Sequence, residues 1–336
     1  MSTPLVVIDA DVLGRRRTGD ETYVENLLRA LPAVGDGLRF AAITRHPDLV
    51  PEGVEPIPLP ARFQELRMAV RVPLLLRRLR PAIAHFVHSL PPALSCPAVL
   101  TVQDLSFERD AKLMGRRETA IFRFVVPRSA RRARRVLAIS QRTKDDLVEL
   151  YGLPEEKIVV TPLAADPAFR PGGTRGDYLL LSGSIEARKN PLLAADAAAA
   201  VGRRLVVAGP ERDRFLAAEL RARGAEVRGF VPKDELVRLT QEAAALLFPT
   251  HHEGFGLPVA EAMASGTPVV ATPDPAVREV GGDAVAYANP AAFAAALERV
   301  LADPERWSQA GLERARGLSW QRTAQLTADV YREVLA

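Results

Sequence analysis

The sequence predicts an α/β protein made of two doubly wound, Rossmann-like domains. Three observations predict it. The chain has 336 residues, more than one ordinary core holds at roughly 100–200 residues per domain. Short apolar runs alternate with amphipathic helical stretches, the pattern of parallel strands covered on both faces by crossover helices. The alternation then starts afresh after TPLAADPAFRPGGTRGD at 161–177, which is rich in Pro, Gly and small residues and shows no periodicity.

Taken in order, LVVIDA at 5–10 reads as the first strand. TYVENLLRAL at 22–31 follows as a helix, with Tyr23, Val24, Leu27, Leu28 and Leu31 on one apolar stripe. AVLTV at 98–102 and VLAI at 136–139 are further strands, the latter leading into the helix TKDDLVELYG. In the second half YLLLSG at 178–183, RRLVVAG at 203–209, ALLFP at 245–249 and TPVVAT at 267–272 are strands, with an alanine-rich helix at 194–200. SWQRTAQLTADVYREVLA closes the chain as one amphipathic helix that could pack on either domain. The expected domains are 1–170, 171–318 and a closing helix, 319–336.

Apolar residues make up 48% and charged residues 26% of the chain, which excludes a disordered or fibrous protein. No window approaches the roughly 18 apolar residues of a membrane span. MSTPLVVIDADVLG carries no basic leader, so no signal peptide is expected. Cys96 is the single cysteine, which excludes an internal disulfide and a cysteine-built zinc site and fits a reducing, cytoplasmic setting.

The net charge is +4, but arginines crowd two segments of the first half. One holds Arg62, Arg67, Arg71, Arg77, Arg78 and Arg80; the other holds Arg116, Arg117, Arg123, Arg128, Arg131, Arg132, Arg134 and Arg135. A solvated face and an anionic partner, such as a membrane surface or a phosphorylated acceptor, both account for them; nucleic acid is the least expected partner. Leu66, Val70, Leu74 and Leu75 interleave with the first group as in an interfacial helix, a pattern that Pro73 interrupts.

FPTHHEGFGLPVAEAMASGTPVVAT at 248–272 carries the most chemistry. A strand ends at Pro249, a glycine-bearing loop follows, and a helix opens near Pro258, where a proline's missing N–H costs nothing. Amides at such a helix start bind phosphate, and Gly254 and Gly256 let a ligand approach the backbone. Glu253 and Glu261 flank this turn; acids near a helix N-terminus are also favoured for structural reasons. His251–His252 and His85–His88 lack a carboxylate partner in sequence, so no metal site is expected.

This segment closely resembles the signature of the family 4 retaining glycosyltransferases of GT-B fold: Glu, seven residues, Glu, around GFGLP, followed by ASGTPVVA. SGSIEARKNP at 182–191, ISQRTKDDLVELYGLPEEKIVVTPLAADPAF at 139–169, RRTGDETYVENLLRAL and SWQRTAQLTADVYREVL resemble further segments of that family, so the resemblance spans nearly the whole chain. It implies two Rossmann-like domains facing a cleft, with the last helix crossing back toward the first. It also implies transfer of a hexose, with retention, from a nucleotide-diphosphate sugar to a glycan, lipid-linked or small-molecule acceptor, without metal or other cofactor. Arg188 and Lys189 would hold the diphosphate in the strand-end loop that begins at Gly183. Glu261 would accept from the ribose, Glu253 would lie beside the donor sugar, and Phe255, Gly256 and Leu257 would offer amides. Gly19 would admit the diphosphate, and His85 and His88, read as just past a strand end, would touch the acceptor. At VLTVQDLSFERD the family's His-Asp is replaced by Gln103–Asp104, and Gln offers a donor and an acceptor but takes no charge.

The VQDLSFERD and HFVHSLPP segments look most like bacterial mannosyltransferases, which favours GDP-mannose as donor, with UDP-glucose or another UDP-hexose close behind. The expected location is cytoplasmic, peripheral on the inner membrane face. An epimerase-like nucleotide-sugar enzyme and a non-catalytic nucleotide-sugar binding protein are the alternatives.

Overall fold

The structure, a computed structural model, describes residues 3–15, 18–109 and 116–336. Arg16, Arg17 and Asp110 lie outside the described residues, as do the side chains of Arg116 and Arg117. The chain divides into two compact units, Met1–Leu163 with Ser319–Ala336, and Ala164–Leu318.

In the first unit the described residues form a seven-stranded parallel sheet of order β3-β2-β1-β4-β5-β6-β7. The strands are β1 Leu5–Asp9, β2 Arg39–Thr44, β3 Glu55–Pro58, β4 Ile83–Val87, β5 Ala98–Val102, β6 Arg135–Ala138 and β7 Ile158–Val160. Val7, Ala41, Phe86, Leu100 and Val136 carry one contiguous core through the central strands. Only the edge strand β3, EPIP, contains proline, which cannot donate to a ladder on both sides. Strand order reverses between β1 and β4, the place where open α/β sheets leave a crevice at their carboxyl ends.

Two residues read as surface or site groups prove to be interior. Arg67 is fully buried: its Nη1 donates to Asp9 Oδ2 at 3.1 Å, its Nη2 bonds Asp9 Oδ1, and its Nε lies 3.3 Å from Asp11 Oδ1. It faces inward because it lies in a π-helical stretch, Arg67–Arg71, between Gln64–Leu66 and the helix Val72–Leu79. The N–H of Val72 bonds the carbonyl of Arg67, five residues back, so Arg67 and Val72 share the inner side. Pro73, which interrupts the sequence pattern, sits in the first turn of Val72–Leu79, where its absent N–H is harmless.

His85 is the second. It lies inside β4 rather than past its end and is 1% exposed, which removes it as an acceptor contact. Its Nδ1 meets Tyr331 Oη at 2.5 Å and its Nε2 meets Thr101 Oγ1 at 2.7 Å; Thr101 in turn meets Tyr23 Oη at 2.8 Å. Burial pulls this imidazole down to about 3, so it is neutral. The chain of four side chains joins β4 and β5 to the helix Thr18–Val34 and to the closing helix Trp320–Leu335. Trp320 and Tyr331 reinforce the contact against Tyr23 and Phe40, with ring centroids 6.4 and 6.5 Å apart.

In the second unit the described residues form a six-stranded parallel sheet of order β10-β9-β8-β11-β12-β13. Its strands are β8 Leu179–Ser182, β9 Leu205–Ala208, β10 Glu226–Gly229, β11 Ala245–Phe248, β12 Val269–Ala271 and β13 Ala286–Tyr287. Leu179, Leu181, Val207, Leu247 and Val270 form its core with Phe293, Leu297 and Val300 of the helix Phe293–Ala302. Here the order reverses between β8 and β11. The two loops that leave those strands therefore meet at the switch point, and they are the loops carrying SGSIEARKNP and THHEGFGLP.

Candidate active site

After β8 the backbone turns through Gly183, whose φ of +121° a side chain rarely adopts. A Cβ on Gly209, at the end of β9, would lie 1.9 Å from the carbonyl oxygen of Gly183. Two glycines thus let adjacent strand ends close up beneath the loop. Arg188 and Lys189 follow in a 3₁₀ turn, Ala187–Lys189, and the helix starts at Pro191.

Both cations converge on Glu253. Its Oε1 accepts from Arg188 Nη1 at 2.9 Å, Lys189 Nζ at 2.6 Å and Thr250 Oγ1 at 2.9 Å. Thr250 is itself tied by Thr272, whose hydroxyl bonds its carbonyl. Burial alone would raise the Glu253 carboxyl, but Lys189 and Arg188 overcome it and hold the group at about 2. Arg188 also spans to Glu186 Oε1 at 2.8 Å and the His252 carbonyl at 2.7 Å. Lys189 Nζ lies 4.8 Å from the centre of the Phe248 ring. All three donors meet Oε1, and none of them reaches the second oxygen of Glu253.

The helix Leu257–Ala264 begins beyond Gly256, at φ +102°, with no side chain capping it. Its leading amides, with Phe255 and Gly256 just ahead, are the kind of donor that favours an anion. Glu261 lies within this helix and is buried among groups of its own sign: burial, and then Asp166, push it up to about 7, against the pull of Lys233. Asp166 accepts from Lys233 Nζ at 2.8 Å. Two glutamates eight residues apart therefore differ in protonation near neutral pH, one a fixed anion and the other poised between states.

The first unit gathers a second set of groups past its own strand ends. Gly19 is the second residue of the helix Thr18–Val34, after β1; among the described residues a methyl there would meet only Gln103 Oε1, at 3.8 Å. Gln103 follows β5, is 8% exposed, and its Nε2 is buried without a hydrogen-bond partner among the described residues. His88 follows β4 with φ +63°, and its Nε2 lies 3.3 Å from Asp20 Oδ1. A non-glycine residue in that region is a strained position of the sort found at binding sites. The structure thus collects Arg188, Lys189, Gly183, Glu253, Phe255, Gly256, Leu257 and Glu261 in one unit, and Gly19, His88 and Gln103 in the other.

Sequence reasoning missed Glu186, Thr250, Thr272, Asp166, Lys233 and Asp20. Glu186 sits inside SGSIEARKNP, two residues from Arg188, and Thr250 sits three residues before Glu253, so both were within reach; for the others only tertiary placement reveals the contact. Among the described residues no cluster of three or more His, Cys, Asp or Glu is arranged to hold a metal ion.

Comparison with known proteins agrees with this division. Residues 17–169 match the family model described as Glycosyltransferase Family 4, and residues 176–303 match Glycosyl transferases group 1. The chain is 31% identical over 241 residues to a D-inositol 3-phosphate glycosyltransferase of Frankia alni, covering 60% of this chain and 59% of that protein. It is 29% identical over 232 residues to O-antigen chain mannosyltransferase B of Escherichia coli, covering 60% and 61%. The matched stretch thus spans about three fifths of these relatives' length. Among solved structures it superposes on sucrose-phosphate synthase from Thermosynechococcus elongatus with a TM-score of 0.79, 17% identity and 98% of each chain covered. On WaaG, a glycosyltransferase involved in lipopolysaccharide biosynthesis, the score is 0.72 at 18% identity, with 97% and 99% covered. The fold is that of the GT-B glycosyltransferases.

Proposed function

This chain belongs to the group 1 glycosyltransferases of family 4, and on that premise we propose that it moves a hexose from a nucleotide-diphosphate sugar to a glycan, lipid-linked or small-molecule acceptor. One observation carries the proposal. At the switch point of the second sheet, two cations and an uncapped helix start meet two glutamates held in different protonation states.

In this reading the diphosphate lies against Arg188, Lys189 and the amides of Phe255, Gly256 and Leu257. Glu261 accepts from the ribose hydroxyls and Glu253 from a hydroxyl of the donor sugar. Transfer proceeds with retention: the bond from the anomeric carbon to the phosphate oxygen breaks, and the acceptor oxygen bonds that carbon from the same face. The acceptor's proton passes to the departing phosphate. The electron pair left on the diphosphate is stabilised by the two cations and the amides, which do not have to reorganise. This scheme uses no side-chain nucleophile and no metal. Gln103 offers its unpaired amide to a substrate hydroxyl, and His88 to the acceptor. Mannose is the first choice of sugar, consistent with a mannosyltransferase among the relatives, with GDP-mannose as donor and UDP-hexoses next. The chain works on the cytoplasmic side, peripheral to the membrane.

A thermal-shift screen of GDP- and UDP-sugars, followed by product mass with each stabilising donor, tests the proposal. Glu261→Ala and Arg188→Ala should each weaken donor binding by about 1–3 kcal/mol. Unchanged calorimetric affinity in both variants would take the donor away from this site.

A further inference from the structure

We infer that the helical stretch 63–79 is an interfacial anchor for an anionic lipid bilayer. This deepens the peripheral-membrane part of the reading above and names the surface responsible. Ten large hydrophobic side chains stand exposed among the described residues, and four of them fall in this one stretch: Phe63, Leu66, Val70 and Leu74, at 58, 50, 44 and 57%. Spaced by three or four residues, they form a single outward stripe, while Arg67, Val72, Pro73 and Leu76 are buried. The π-helical turn makes this division. It adds one residue between Arg67 and Val72, which keeps both on the core side and brings Val70 and Leu74 into line with Leu66.

Charge selects the partner. Arg62, Arg71, Arg77, Arg78 and Arg80 are all exposed around the stripe, and Glu65 is the one acid between residues 61 and 80. Arg71 reaches the Pro60 carbonyl and Arg62 lies over the Phe63 ring, at 5.5 Å. Among the described residues, none of these five makes an ion pair. Exposed arginines without an ion pair also occur among the described residues of the second unit, at Arg214, Arg299, Arg306 and Arg316, but here five stand within nineteen residues beside the stripe. On the second unit Arg204, Arg221, Arg223, Arg228 and Arg238 pair with Glu226, Glu211, Glu219, Glu235 and Glu242. The second arginine group of the first unit is more engaged with its own fold. There Arg123 pairs with Glu108, and Arg131, Arg132 and Arg135 cap the carbonyls of Tyr151, Pro91, Pro92 and Glu156. An apolar stripe rimmed by unneutralised arginines fits a surface that is apolar within and anionic at its rim, which a bilayer of acidic phospholipid supplies.

Vesicle co-sedimentation of the intact protein tests this without any sugar donor, so its failure and a failure of the transfer reading are separate results. The protein should sediment with vesicles of phosphatidylcholine mixed with phosphatidylglycerol, and far less with phosphatidylcholine alone. Binding should fall about tenfold or more between roughly 50 and 500 mM salt, as exposed charges become screened. Leu66→Gln with Leu74→Gln, and separately Arg77→Gln with Arg78→Gln, should each lower the bound fraction about tenfold; Phe215→Gln, at an exposed phenylalanine of the second unit, should not change it. All these side chains are exposed, and unchanged melting would show that folding is intact; Phe63→Gln is the reserve variant. Equal recovery on neutral and acidic vesicles, or stripe variants that bind like the parent, would overturn the anchor. Self-association abolished by the Leu66 and Leu74 changes, with no vesicle binding, would assign the stripe to a second copy of the chain instead.

Discussion

The loops past the strand ends of the two sheets are built differently. In the second unit the strand-end loops carry charge braced against charge: Arg188 and Lys189 against Glu253, and Lys233 against Asp166. In the first unit Asp9 and Asp11 at the end of β1 are braced by Arg67 and Arg45, but the loops beyond hold Gly19, Gln103 and a strained His88 beside Asp20, and among the described residues the amide of Gln103 has no partner. Preorganised charge suits a diphosphate whose charge grows as its bond breaks, whereas neutral donors and acceptors suit hydroxyls. The same topology thus offers two chemistries, and the difference lies in the loops after the strands that flank each switch point.

The contrast predicts unequal sensitivities, the largest at Lys189. Lys189→Met removes a buried cation from the charge set and leaves Glu253 with less to offset its burial. Turnover should fall by about 100-fold or more, the range for losing one transition-state donor. A loss no larger than that from a Gln103 variant would erase the distinction.

Glu261 gives the next largest effect, and its sign is unusual for a carboxylate. The group titrates near 7 in the fold against 4.5 for an unperturbed glutamate, so the folded state prefers it protonated. Its ionisation therefore costs stability as pH rises from about 4.5 to 7, up to about 3 kcal/mol. Glu261→Gln should melt higher than the parent at pH 8 and show no such gain near pH 4.5, while binding the nucleotide more weakly. Melting curves that stay parallel across this range would return Glu261 to an ordinary carboxylate.

His85→Phe sharpens the comparison from the other side. It leaves the hydroxyls of Tyr331 and Thr101 without their shared partner, at a cost of about 1–3 kcal/mol. The acceptor KM should not change, because the ring is sealed in the core. A raised acceptor KM with unchanged stability would put His85 back in the site.

The smallest effect is expected at Gln103. Gln103→Ala should lower turnover about tenfold, if the lost contact strengthens in the transition state by about 1.4 kcal/mol. Gln103→His should restore much of it and add an inflection near pH 6–7 to the rate profile, since histidine titrates where glutamine does not. Normal turnover with reduced thermal stability would leave Gln103 as a strand-end cap.

Legibility in the sequence followed the clearest local patterns. β5, β8 and β11 are continuous apolar runs because both faces of the sheet are covered. The edge strands β3 and β10, EPIP and EVRG, carry the prolines and charges that edges tolerate, and they are not among the strands expected from the sequence; nor are the buried β2 and β4. Glu253, Glu261, Arg188 and Lys189 were readable because glycines and a helix start sit at fixed distances from them. Asp166 and Thr272 act through partners distant in sequence, Lys233 and the Thr250 carbonyl, which no local pattern encodes, whereas Glu186 and Thr250 lie two and three residues from Arg188 and Glu253. His85 was misplaced because HFVHS holds two histidines, of which one ends up in the core of β4 and the other beyond it.

The chain of hydroxyls and imidazole from Tyr23 through Thr101 and His85 to Tyr331 also has a temporal meaning. Its members are 23, 85 and 101 on one side and 331 on the other, so the whole of Ala164–Leu318 is translated before the last of them exists. During synthesis the first unit waits without the helix that packs on His85, Tyr23 and Phe40, which leaves that side exposed to chaperones and proteases. A chain halted at residue 318 should therefore be cleaved within residues 1–163 far faster than the complete chain. Comparable protease lifetimes for the two would mean that the first unit closes without its final helix.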